Sequence, residues 1–323
     1  MSRSLKAHLL LVLATLIWGA TFVVVKAALQ FASPLTFTTI RMTVAAVFLV
    51  LVFRKSLPTL TRPSLYAGCS VGVLLFLGYA FQTTGLNLTT PSKSAFLTSS
   101  SFVLVPLLLL VFWRIRIDLW RITGIATALA GLFLMTVPAG DGRIADLAKV
   151  NAGDLLTLIA VVAFALQLIV VGPATQRFPF QQIVTIQIAV AALLMGVAAP
   201  LVETPHLQPS VKLAAAILVT GALPTAVAFS LQAWAQQFIP ATHTAVIFTL
   251  EPVFAWLTSL IVMKERLGIR AGVGALLILA GVLISALLAR PSQLESSQLE
   301  ATQLEASRQP EPQPGNERPL DCV

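Results

Sequence analysis

The stretch HTAVIFTLEPVFAWLTSLIVM, His243 to Met263, sets an ionisable residue in the middle of an apolar run long enough to cross a bilayer. At a helical rise of about 1.5 Å per residue, Glu251 stands roughly 12 Å from one end of the run and 18 Å from the other. A charge at that depth costs several kcal/mol unless it meets a polar cavity, a partner or a proton. The next residue, Pro252, removes a backbone donor and frees a carbonyl one turn earlier, which makes the local backbone irregular and more polar. An embedded carboxylate of this kind marks an ion or solute path, as against a carboxyl that merely bonds a neighbouring helix.

The rest of the chain is built for the same solvent. Hydrophobic residues make up 57% of its 323 positions, charged residues 11%, and the mean hydropathy is +0.89. A soluble domain carries about a quarter charged residues. Ten apolar stretches are predicted as spans, at 8–29, 34–53, 65–86, 92–112, 119–138, 153–172, 181–201, 211–233, 243–263 and 268–289. The first is read as a span and not a signal peptide, because nine more follow it and no small-residue cleavage site stands out. The net charge of +8 does not point to nucleic acid. The tail from Arg290 onward holds three Arg against six acids, and the excess of base in the apolar region sits mostly at span ends, where it serves topology and lipid headgroups. Cys69 and Cys322 offer neither a disulfide framework nor a metal site.

The apolar region repeats itself. An offset of 150 carries Gln82 to Gln232, Gly124 to Gly274, Ala130-Gly131 to Ala280-Gly281, and Arg114-Ile115-Arg116 to Lys264-Glu265-Arg266. Nearer the N-terminus the offset is 146, which carries Trp18 to Phe164, Arg41 to Gln187 and Arg62-Pro63-Ser64 to Gln208-Pro209-Ser210. A four-residue insertion in the eighth span accounts for the change of offset. Each unit then holds five helices. Because five is odd, the second unit starts on the opposite side of the membrane, so the expected fold is an all-α membrane protein of ten transmembrane helices in two inverted five-helix repeats. Such repeats suit secondary transporters, whose halves exchange the roles of inner and outer gate. The expected division is 1–138 for the first repeat, 139–152 for a connecting loop, 153–289 for the second repeat and 290–323 for a Pro-rich, polar, disordered tail. Lys and Arg in the first half, among them Lys6, Arg54, Arg62 and Arg121, place both termini in the cytoplasm.

The segment Trp18-Gly19-Ala20-Thr21-Phe22 with Lys26, Pro34 and Arg41 resembles the opening of EamA-type members of the drug/metabolite transporter superfamily. Ser92 to Leu97 leading to Pro106, and Glu251-Pro252-Val253 through Lys264-Glu265-Arg266 to Gly274 and Gly281, carry the same likeness, which covers 8–289 in two copies. The resemblance implies a ten-helix inner-membrane carrier that exports small metabolites or drugs by alternating access and uses no cofactor, with helices 1, 3, 4, 6, 8 and 9 around the path. The sequence departs from the pattern twice: Phe164 stands where the second copy would have Trp, and Ser101 stands at the first-copy position of Glu251, so the acid is single.

Seven residues are expected at a substrate or proton site. Glu251 is the candidate for a proton or a cationic group. Arg41 lies roughly 10 Å below the surface, where a guanidinium either binds an anionic group or snorkels outward. Lys26 is shallower, and snorkelling competes more strongly there. Gln82 and Gln232 form a pseudo-symmetric pair, Trp18 is placed to stack on a solute, and Ser101 is the mate of Glu251. Gln167, Gln187 and several Thr and Ser residues are further lining candidates, against ordinary interhelical hydrogen bonds worth about 0.6 kcal/mol each. The three embedded charges are not repeated, since their mates are Gly172, Gln187 and Ser101. Catalysis is not expected: paired acids for proteolysis, clustered metal ligands and a phosphate loop are all missing. The expected partners are a small-molecule substrate and the lipid bilayer. Coupling to protons or exchange, and the oligomeric state, stay open, and a non-transporting membrane receptor or assembly factor is the rival reading.

Overall fold

The computed structural model describes residues 3–88, 97–114, 118–136, 151–262 and 269–288. They form α1 (Arg3–Ala28), α2 (Pro34–Val52), a 3-10 turn (Leu57–Thr59), α3 (Arg62–Leu88), α4 (Ser101–Trp113) and α5 (Leu119–Thr136). After the undescribed 137–150 come α6 (Ala152–Arg177), α7 (Phe180–Val202), α8 (Val211–Ala235), α9 (Ala241–Phe248), α10 (Glu251–Val262) and α11 (Ile269–Leu288). No strand occurs among the described residues apart from an isolated bridge between Ala32 and Leu207. Six helices, α1, α2, α3, α6, α7 and α8, are long and apolar enough to cross a membrane, and shorter apolar helices lie within 97–112, 119–134 and 272–285. The chain is thus a multi-pass, all-helical membrane protein.

Local sequence explains most of these limits. Pro34 occupies the first turn of α2, where its missing N–H is no loss. Asn151 and Asp154 cap the start of α6 reciprocally, and the Ser210 hydroxyl accepts from Leu213 N at the start of α8. The run 243–263, expected as one span, is two helices. Thr249 and Leu250 close tight turns onto Val246 O and Ile247 O, and α10 restarts at Glu251 with Pro252 in its first turn. The physical reason is the missing donor of Pro252. The expected span 92–112 yields α4 from Ser101, with one helical turn at 97–99 before it. Gly221–Val227 of α8 winds as a π-helix around Pro224. This stretch lies where the repeat offset changes from 146 to 150, and wider winding absorbs inserted sequence without turning the helix face. Of the expected connecting loop 139–152 only Asn151 and Ala152 are described, and the expected tail 290–323 and Lys264-Glu265-Arg266 lie outside the described residues.

Three pairs of contacts tie the sequence-related halves. At Gly124 an added Cβ would stand 2.7 Å from Gly281 O, and at Gly131 one would stand 2.5 Å from Gly274 O, so α5 and α11 touch backbone to backbone. The Trp18 indole of α1 packs on the π-helical stretch at Pro224, while Phe164 of α6 packs on Gly78 of α3. Glu203, at the end of α7, accepts from Leu35 N and from the Thr36 backbone and hydroxyl of α2 at 2.8–3.1 Å. At the other end of that helix pair, Gln182 of α7 donates to Ser56 O and Thr59 Oγ1 just beyond α2, at 2.8 and 2.9 Å.

The stripe of glycines sets a clear expectation. Gly131→Ala, whose methyl group meets Gly274 O and Ile278 N at 2.5 and 2.7 Å, lowers stability by about 1–3 kcal/mol, as overpacking does. Gly196→Ala, with nothing nearer than Thr39 Cγ2 at 3.5 Å, leaves the midpoint of thermal unfolding in detergent unchanged or raised.

Candidate functional site

Two glycines and one π-helical stretch bring the site together. Gly19 lets α1 lie against the first turn of α10, where an added Cβ would stand 2.7 Å from Glu251 O and 2.8 Å from Ala255 N. Gly78 leaves room for the Phe164 ring, which a Cβ would meet at 2.5 Å. The π-helical stretch of α8 turns the Pro224 carbonyl toward α1, and Trp18 Nε1 donates to it at 2.8 Å. Between these contacts lies a cavity of about 1110 Å³ of atom-free space, its mouth included.

The cavity belongs to one half of the bundle. Its lining runs along the later turns of α1, from Trp18 to Val25, and of α3, from Tyr79 to Leu86. It takes in Thr38 and Arg41 from the first turns of α2. Toward the N-terminal turns of α1 the helices close on apolar packing that includes Ala7, Leu11 and Ile239. Polar ties reinforce that end. Arg121 of α5 donates to Thr242 Oγ1 at 3.1 Å and bonds His243 Nε2 at 2.8 Å, and Lys6 Nζ lies 5.2 Å from the centre of the Trp234 ring.

Six of the seven residues singled out in the sequence line this one cavity: Trp18, Arg41, Gln82, Ser101, Gln232 and Glu251. The side chain of Lys26 lies outside the described residues. Arg41 does not snorkel. It is 4% exposed, and its guanidinium carbon lies 4.6 Å from the centre of the Tyr79 ring and 5.8 Å from that of Phe37, a cation–π setting. Its Nε has no hydrogen-bond partner. The Glu251 carboxylate makes neither an ion pair nor a hydrogen bond among the described residues, so the two opposite charges share a cavity without pairing. Trp18 faces neighbours and not lipid, with Phe229 at 5.2 Å and Phe248 at 5.0 Å between ring centres.

The amides are more connected than the charges. Gln82 donates to Thr98 Oγ1 at 3.2 Å. Gln232, 2% exposed, bonds Gln167 and Gln236, Gln167 bonds Gln187, and Gln236 reaches Leu168 O. Gln187 is buried beside the cavity and does not line it. Sequence reasoning missed Tyr79, Phe229, Phe248, Thr38 and Pro224. For Tyr79 a signal was available, because Tyr79, Gln82, Thr83 and Leu86 share one helical face by spacing. For the others none was, since a Phe or Thr in an apolar span is ordinary composition. No cluster of metal-ligating side chains occurs among the described residues.

The tie between Trp18 and Pro224 has a measurable worth. Trp18→Phe keeps a ring in place, matches the mate Phe164 and removes one hydrogen bond. The expected cost is about 1 kcal/mol, read as a lower midpoint of thermal unfolding in detergent.

Comparison with known proteins gives this cavity a family. The EamA-like transporter family matches residues 5–137 and again 151–287. An uncharacterized transporter of Archaeoglobus fulgidus is 31% identical over 285 residues, covering 88% of this chain and 87% of its own. The uncharacterized transporter YoaV of Bacillus subtilis is 23% identical over 289 residues, covering 87% and 96%. A solved crystal structure superposes with a TM-score of 0.76 at 19% identity, over 89% of this chain and all of its own, which is a likeness of fold alone. Two matches spanning nearly all the apolar sequence, on a bundle of helices, identify the chain as a member of the EamA-like transporter family.

Proposed function

We propose that the chain is a secondary carrier of small metabolites or drugs that works by alternating access in the inner (plasma) membrane. In this reading it has ten transmembrane helices in two inverted repeats, 1–138 and 153–289, joined by 139–152 and followed by a cytoplasmic tail. The observation that carries it is the cavity itself, which gathers Glu251, Arg41, Trp18, Ser101, Gln82 and Gln232 from both halves of the sequence.

Contacts support the inversion. Exchanging the halves at offset 150 turns the contact Gly124–Gly281 into Gly274–Gly131, which is also made. At offset 146, Trp18 on Pro224 becomes Phe164 on Gly78, and Thr36 on Glu203 becomes Gln182 beside residue 57. A twofold relation sends each contact to its partner, whereas a simple tandem translation would not make them reciprocal. With a cytoplasmic N-terminus, the half of the bundle that holds the cavity is the external one. The present conformation is then open outward, and the end closed by Leu11, Ile239 and Arg121 is the inner gate. Export is the direction carried over from the family likeness.

In this mechanism Glu251 holds a proton or a cationic group, Arg41 an anionic one, and the amides and hydroxyls complete the lining. The test uses purified protein in vesicles with an internal pH dye and an imposed pH gradient. Amino acids, nucleosides, sugars, organic anions and cationic drugs are added in turn. One class is expected to dissipate the gradient through the wild type and not through Glu251→Gln. Equal dissipation by both would remove Glu251 from coupling. A silent dye together with no counterflow of any labelled class would remove the carrier reading and leave the receptor.

A further inference from the structure

Ten bases and no acid precede Asp118 in the chain. Three of these bases meet a fourth from the second half at one corner of the bundle, and all four are exposed. Arg54 and Lys55 follow the last turn of α2, Arg62 opens α3 and Arg177 closes α6. Two couplings hold these helix ends together. Gln182 of α7 donates to Ser56 O and Thr59 Oγ1 in the turn after α2, and the Phe53 and Phe180 rings stack edge to face at 5.9 Å. Ala67 and Val71 of α3 share an apolar cluster with Val171, Ala174 and Phe178 at the end of α6. The turn is braced from within as well, since Thr61 and Ser64 cap the start of α3 reciprocally at 3.0 and 3.3 Å. Like charges held at one corner repel each other and draw an anion. The described acids do not supply it: Asp118 precedes α5, Asp154 and Glu203 stand at the far ends of α6 and α7, and Glu251 lines the cavity.

What lies beside the charges decides which anion fits. The helices α2, α3 and α6 are each long and apolar enough to cross a membrane, so bases at or just past their ends stand in the headgroup layer. On the same helix ends Leu51, Val52, Leu65 and Tyr66 are exposed, as only lipid tolerates. We infer that this corner binds the headgroup of an anionic phospholipid. The guanidinium forks of Arg54, Arg62 and Arg177 take phosphate oxygens, Lys55 adds a point charge, and the acyl chains run down the apolar side chains beneath. At the opposite end the described side chains are balanced, with Lys212 and Arg270 against Asp154 and Glu203. The acidic tail is the poorer occupant, because Glu295, Glu300 and Glu305 come one in five residues, with Arg290 and Arg308 on either side. The inference needs only the membrane, so it stands or falls apart from the carrier reading.

The test is thermal unfolding of the full chain in detergent with added phosphatidylglycerol, phosphatidylcholine of the same acyl chains, or inorganic phosphate. Phosphatidylglycerol is expected to raise the midpoint at least about 3 °C above phosphatidylcholine, because a ligand that binds only the folded chain stabilises it by mass action. Arg54→Gln, Lys55→Gln, Arg62→Gln and Arg177→Gln together abolish that difference, whereas Lys212→Gln with Arg270→Gln keeps it. Should the fourfold variant not fold, Arg54→Gln with Arg62→Gln is expected to cut the difference by half or more. Equal effects of the two lipids overturn the inference, and so does a difference that these variants leave intact. Inorganic phosphate that matches phosphatidylglycerol overturns it in favour of a free-anion site. A lipid effect that appears only once Glu295→Gln, Glu300→Gln and Glu305→Gln are made overturns it in favour of the tail.

Discussion

Hydrocarbon gives a polar group nothing to bond, so in this chain every polar atom within the bilayer must find its partner inside the bundle. Helices satisfy the backbone, but helix ends, breaks and polar side chains remain. The structure sends them to a few places. The interrupted backbone before Glu251, the π-helical stretch around Pro224, and the charges and amides of five helices all meet at one cavity. Elsewhere the surface is Leu, Val, Ile and Phe, with large exposed apolar side chains along α2, α7 and α11 that only lipid tolerates.

The same solvent removes the usual force that joins helices, since lipid is as apolar as leucine. Close backbone approach takes its place. Gly124 and Gly131 against Gly281 and Gly274, Gly19 against Glu251 O, and Gly85 against Gly153 O show helices meeting at distances that forbid even a methyl group. These contacts position the site as well as hold the bundle, because the approach at Gly19 puts the start of α10 beside Trp18.

The site is less symmetric than the scaffold. Trp18 donates to Pro224 where its mate Phe164 has no donor, and Glu203 clasps one end of the α2–α7 pair with a carboxylate where Gln182 clasps the other with an amide. Arg41 faces the cavity, while its mate Gln187 is buried in an amide network. Two near-equivalent halves thus enclose a cavity whose charges come singly.

Much of this was legible in the sequence, because its physics is periodic or local. Length and hydropathy mark the helices that water would not stabilise. Self-similarity marks the repeat, and the jump of offset marks the distortion in α8. Pro252 marks the broken helix at Glu251, and the rarity of charge in apolar sequence marks Arg41 and Glu251 individually. What needed tertiary structure was everything that depends on which face of one helix meets which face of another. Tyr79 and Phe229 are common residues made special by standing beside Arg41 and Trp18, and the buried amides of Gln167, Gln187, Gln232 and Gln236 bond one another. That Arg41 and Glu251 share a space and leave each other unpaired follows from the packing of helices alone. A linear chain records where charges are scarce, and only its folding decides what they face.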